Sequence, residues 1–180
     1  VISCFAMRRY GGPLMRRLLC KLLGLATPRP GNIRRIGGLP VPGGHAGVNL
    51  STVCIVREGG KWPTLFIRTP YGKTPLEFFA HAVAAQGFNV VLQDCRGRFA
   101  STGLPWGFAA FEDGDGRATL EWLAAQDFDW YDPTRVVMFG ISYLGVTQWA
   151  TLAGLERRRR EADTGAGQAH PPLAAVAPLF

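Results

Sequence analysis

The segment of this sequence best suited to chemistry is Gly140-Ile141-Ser142-Tyr143-Leu144-Gly145. It follows the apolar run Arg135–Phe139 and precedes a helical pattern, so Ser142 should sit on a tight strand-to-helix turn. Such a turn thrusts the hydroxyl out above the sheet, where it can attack a carbonyl and carry an acyl group. Gly140 frees the bend of a Cβ, and the helix N-terminus favours negative charge beside the serine. The spacing departs from G-x-S-x-G, because the second glycine comes three residues after the serine rather than two.

A serine nucleophile needs a base and an acid. Downstream of Ser142 the candidates are Glu156, Glu161, Asp163 and His170, and none of them follows a strand-like run. His81 falls within a helical pattern and His45 within a glycine-rich turn, and both are expected to be structural. Asp94 and Arg96 end a buried strand, where ligands gather in open α/β sheets. They are expected to pair with each other and fix the Gly97 loop. Cys4, Cys20, Cys54 and Cys95 form no C-x-x-C pair, so buried reduced thiols are expected rather than a zinc site.

The elements that must position these groups alternate. Val53–Val56, Thr64–Ile67, Phe88–Gln93, Arg135–Phe139 and Leu173–Ala177 read as strands with little polar alternation, the mark of strands covered on both faces. Between them, a helix from Thr74 has a capping box (Thr74, Glu77), with Phe78, Phe79, Ala82 and Val83 inward. A second helix spans Asp115–Gln126, with Ala118, Trp122 and Leu123 inward. A third spans Tyr143–Leu155, with Leu144, Trp149 and Leu152 inward. Strand–helix–strand units of this length imply a mostly parallel sheet.

The 180 residues carry a formal net charge of +7, with 47% hydrophobic and 18% charged residues. There is enough apolar surface to exclude a disordered chain, and no apolar run long enough to span a bilayer. Residues 1–45 read as a basic N-terminal extension with a Pro/Gly linker, and 46–180 as the folded part. The weak leader-like pattern around Leu18–Leu23 carries Lys21, so a cytoplasmic location is expected over export. The basic run Arg157–Arg160 is flanked by acids and is expected to be a solvated loop. Neither basic cluster has the accompanying signature of a nucleic-acid binder, and none is expected.

Six segments in order resemble one family: Arg68-Thr-Pro-Tyr-Gly-Lys73, Gln93-Asp-Cys-Arg-Gly-Arg98, Ser101-Thr-Gly103, Glu112-Asp-Gly-Asp115, Glu121-Trp-Leu-Ala-Ala-Gln126 and Gly140-Ile-Ser-Tyr-Leu-Gly145. They resemble the α/β-hydrolase part of the cocaine esterase and Xaa-Pro dipeptidyl-peptidase family, over roughly residues 34 to 180. The resemblance implies an α/β sheet with flanking helices and a serine hydrolase acting on a small-molecule ester or amide, or a peptide, with no cofactor or metal. It makes Ser142 the acylated nucleophile, Tyr71 the donor of an oxyanion-hole hydroxyl and Tyr143 the donor of a backbone N–H to the same oxyanion. It also places the acid and the histidine after later strands. Only 38 residues follow Ser142, so the sequence is expected to be the N-terminal part of such a domain and inactive by itself. The alternative is a non-catalytic remnant or binding module of the same fold.

Overall fold

The computed structural model describes residues 13–29, 31–103, 105–162 and 173–179. Their elements run in the order α1 (Pro13–Leu22), β1 (Ile33–Pro42), β2 (Asn49–Arg57), β3 (Thr64–Thr69), α2 (Glu77–Ala85), β4 (Asn89–Asp94), α3 (Glu112–Ala125), β5 (Val136–Ile141), α4 (Tyr143–Glu161) and β6 (Leu173–Leu179). One six-stranded sheet has the order β1-β2-β4-β3-β5-β6. The first two pairings are antiparallel and the remaining three parallel. The α/β architecture expected from the sequence is therefore present, as a mixed sheet with helices on both faces.

The central strands show why their sequences lack polar alternation. Side chains of a strand alternate between faces, and here both faces are covered. Val53, Ile55, Leu65, Ile67, Val90 and Leu92 join Ala80 and Ala84 of α2 in one core. Cys54, Val56, Phe66 and Val91 point the other way and join Leu120 and Leu123 of α3, Leu155 of α4, and Met138.

Residues 33–42, expected to be linker, form β1 instead. Its prolines, Pro40 and Pro42, are tolerated because β1 is an edge strand paired only with β2. A register shift between Ile36 and Leu39 absorbs Gly37-Gly38 as a bulge. A Pro/Gly-rich edge strand has the composition of a linker, which is why the sequence misled.

Three helix faces also differ from expectation. Glu77 does not cap α2 but pairs with Arg35 of β1 at 2.7 Å, and Phe78 is exposed while Glu77, Ala80 and His81 are buried. In α3, which begins three residues earlier than expected, the inward face includes Glu112, Asp115 and Thr119. In α4, Trp149 and Leu152 are exposed, and Thr147, Gln148, Thr151 and Leu155 turn inward. Nor is Arg157–Arg160 a loop. It continues α4, with Glu156 paired to Arg159 and Arg160, and Arg157 paired to Asp113. Glu and Arg are good helix formers, and pairs three or four apart support the helix while basic residues suit its C-terminus.

Cys20, Cys54 and Cys95 are buried free thiols, as expected; Cys4 lies outside the described residues. Burial pushes the Cys54 thiol up to about 12. Below about pH 9 the thiol is neutral whether the chain is folded or not, so it adds no pH dependence. Above that, the unfolded chain can ionise it and the folded one cannot, so stability falls as pH rises towards the folded value. The loss approaches about 4 kcal/mol at the limit. Thermal melts between pH 8.5 and 11 (roughly the thiol range) should show a falling Tm whose slope is shallower in Cys54→Ala. Parallel slopes in the two proteins would contradict this.

Candidate active site

The fold brings Ser142 and Tyr71 together through strand order. β3 leads to β4 on one side, and the chain then crosses back so that β5 pairs with β3 on the other. The C-terminal ends of β3 and β5 therefore flank the point where the winding reverses, the place where open α/β sheets form their crevice. Tyr71 follows β3 and Ser142 follows β5. The Tyr71 hydroxyl lies 3.4 Å from Ser142 Oγ, an open contact compared with a tight O–H···O bond. Both residues are exposed.

Ser142 occupies φ 54°, ψ −127°, a conformation that costs a non-glycine residue on the order of 1–3 kcal/mol. Its surroundings hold it there. The Ser142 N–H donates to Leu179 O of β6 (2.9 Å), and Ser142 O accepts from the Gly145 N–H (2.8 Å). Gly140 has φ 155°, and a Cβ there would come within 2.4 Å of Leu144 Cβ, so the bend before the serine requires glycine. Gln148 joins the three elements: its amide nitrogen donates to Gly140 O and Leu144 O, and its amide oxygen accepts from the Ala177 N–H. Tyr143 stands at the first position of α4, where backbone N–H groups have no acceptor within the helix.

The Tyr71 loop is equally fixed. The Tyr71 N–H donates to Thr69 Oγ1, and Arg98 Nε donates to Pro70 O at 2.9 Å. Gly72 (φ 96°) lies so close to Phe99 that a Cβ would meet its ring at 3.0 Å. Lys73 donates its N–H to Asp94 Oδ1 and its ammonium to Asp94 Oδ2 and Ser51 Oγ. The expected Asp94–Arg96 pair is thus replaced by two others, since Arg96 binds Asp115 and meets His45 Nδ1 at 2.9 Å. Each is held in a buried ion pair, with a partner other than the expected one. Asp115 comes from α3, and no sequence spacing marks it as the partner of Arg96.

Beneath the serine lies a buried ionic network that residue spacing did not reveal. Arg68 is fully buried and donates to Gln93 Oε1 (2.9 Å) and Glu112 O (2.8 Å). Glu112 Oε2 is 2.7 Å from Arg68 Nη1, a contact of charges rather than an aligned hydrogen bond. Burial alone would lower the Arg68 pKa, but Glu112 foremost, with Asp115, outweighs it and holds the guanidinium above its ordinary range. The Tyr143 hydroxyl donates to Glu112 Oε1 (3.0 Å) and accepts from the Ala109 N–H (2.9 Å). Burial pushes that phenol well up, so it stays protonated as the donor.

Of the other site candidates, Glu156 and Glu161 lie far along α4. Glu156 is 14 residues beyond Ser142, about 21 Å at the helical rise. Asp163 and His170 lie outside the described residues. Among the described residues, no imidazole is hydrogen-bonded to Ser142. Nor does any group of three or more His, Cys, Asp or Glu among them form a metal-binding cluster.

The six-stranded mixed sheet with a parallel centre and flanking helices has the architecture of the α/β-hydrolase class. Two solved structures share the fold. An α-amino acid ester hydrolase superimposes with a TM-score of 0.63 over 87% of this chain and 27% of its own, at 21% identity. An esterase of the archaeon Pyrobaculum calidifontis does so with a TM-score of 0.54 over 87% and 49%, at 17% identity. The sequence profile of the X-Pro dipeptidyl-peptidase (S15) family matches residues 47–159, well over half of the chain, and the chain belongs to that family. It is 39% identical over 107 residues to the cocaine esterase of Rhodococcus sp. (strain MB1 Bresler), a match covering 53% of this chain and 17% of that enzyme.

Proposed function

We propose that Ser142 is the nucleophile of a serine hydrolase that cleaves esters or amides through an acyl-enzyme. Ser142 Oγ attacks the carbonyl carbon and the leaving alcohol or amine departs with a proton. Water then releases the acid and restores the serine. The Tyr71 hydroxyl and the Tyr143 N–H stabilise the tetrahedral oxyanion. The observation that carries this reading is the strained, exposed Ser142 with the Tyr71 hydroxyl 3.4 Å away at the switch point of the sheet. The esterase and peptidase relatives support an acyl compound as substrate.

In this reading the base and its acid come from outside the described residues, and the 180-residue chain by itself does not turn over. The experiment is Tyr71→Phe in a polypeptide that contains this chain and hydrolyses a chromogenic ester. The kcat should fall about 10²–10³-fold, as for loss of one oxyanion donor, with KM little changed. An unchanged kcat would remove Tyr71 from the reaction. Measurable hydrolysis by the isolated chain, absent in Ser142→Ala, would show that the base lies within it.

A further inference from the structure

We propose that α1 is a docking helix for an anionic lipid surface, with Leu14, Leu18 and Leu22 entering the headgroup boundary and Arg17 and Lys21 binding lipid phosphates. The inference is independent of the catalytic reading.

α1 is amphipathic in an unusual sense, because its apolar residues divide between two faces. Met15 and Cys20 face the body of the protein and pack with Ala82 and Ala85 of α2. The helix is anchored there: Gln86 Nε2 donates to Cys20 Sγ and to Ala26 O, and the Leu25 N–H donates to Cys20 O. Leu14, Leu18 and Leu22 are spaced by four, so they share a row on the other side. They are 83%, 49% and 73% exposed. Leucines this exposed leave much of their apolar surface in water. Arg17 and Lys21 follow Leu14 and Leu18 by three, so an exposed cationic row flanks the leucine row.

Charge selects the occupant. No acidic residue occurs in α1, and Arg17 and Lys21 are exposed on it. A second copy docked face to face would set Arg17 and Lys21 against their own equivalents with no acid on the helix to answer them. A nucleic acid would use the cations but leave the leucines in water. An anionic bilayer uses both rows, and this combination of leucines with Lys/Arg is that of helices lying in the membrane interface. With 10 residues, α1 is too short to cross a bilayer, and none of the described helices is long and apolar enough to do so.

The test is co-sedimentation of the full chain with vesicles of equal parts phosphatidylglycerol and phosphatidylcholine, or of phosphatidylcholine alone. Binding is expected to the anionic vesicles only, and to be lost in about 1 M salt, where screening reaches about 3 Å. Leu18→Ser with Leu22→Ser should weaken binding about tenfold or more. Arg17→Gln and Lys21→Gln should each weaken it about fivefold. These side chains are exposed, so the variants should keep the parent's far-ultraviolet dichroism and Tm. No binding to anionic vesicles would overturn the proposal. So would equal binding by the leucine double variant, or duplex DNA captured where vesicles are not.

Discussion

Arg68→Met is expected to cost about 3–5 kcal/mol of stability, the typical penalty for removing one partner of a buried ion pair. Methionine restores most of the volume but none of the charge. Asp115 keeps Arg96, so it stays paired. Glu112, 3% exposed, keeps only neutral partners, the Tyr143 hydroxyl and the Cys95 thiol, and becomes an uncompensated buried carboxylate. Set against a total stability of about 5–15 kcal/mol, this loss is large enough to populate unfolded chain. Urea unfolding measures it through the midpoint at constant slope. Adding Glu112→Gln removes the stranded charge and should recover part of the loss, so the two changes should be non-additive. A loss below about 1 kcal/mol for Arg68→Met, typical of exposed pairs, would show that water reaches Glu112.

Ser142→Ala is expected to behave in the opposite way, leaving the fold intact and removing the chemistry. The side chain is exposed, and among the described residues its only side-chain partner is the exposed Tyr71 hydroxyl at 3.4 Å. The backbone strain at φ 54° is the same for alanine as for serine. Stability should therefore move by less than about 0.5 kcal/mol, the usual range for surface changes. Turnover, in a polypeptide that contains this chain and hydrolyses an ester, should fall by about 10⁴-fold or more, as when a serine nucleophile is deleted. Parallel melts and ester assays on the same preparations separate the two effects. Retained turnover would place the nucleophile elsewhere.

The strands were legible in the sequence because a buried strand carries a short continuous apolar run, as in Val90–Leu92 of β4 and Val136–Phe139 of β5. The turn at Ser142 was legible because a glycine and a serine stand between such a run and a helix. The proximity of Tyr71 to Ser142 was not readable from spacing, since 71 residues separate them and only the β3–β5 pairing joins them. Family resemblance, not periodicity, pointed to Tyr71. The Arg68–Glu112–Tyr143 network escaped for a different reason. Charged residues on a helical pattern read as a solvated face, and only the burial of their partner reverses that. The same assumption reversed the α4 assignment. Trp149 and Leu152 were placed inward because they are apolar, yet the inward face is lined by Thr147, Gln148 and Thr151, with Gln148 stitching β5 to β6.

The most direct measurement is covalent. Cells that produce a polypeptide containing this chain and hydrolysing an ester would be lysed, treated with a tagged fluorophosphonate and digested, and the peptide spanning Val136 to Arg157 recovered. Such a reagent phosphonylates serines activated for acyl transfer. The expected result is the phosphonate mass on Ser142, absent when Ser142→Ala is expressed instead. Recovery of that peptide only in unmodified form, from an extract whose other serine hydrolases are labelled, would contradict the assignment of Ser142 as nucleophile.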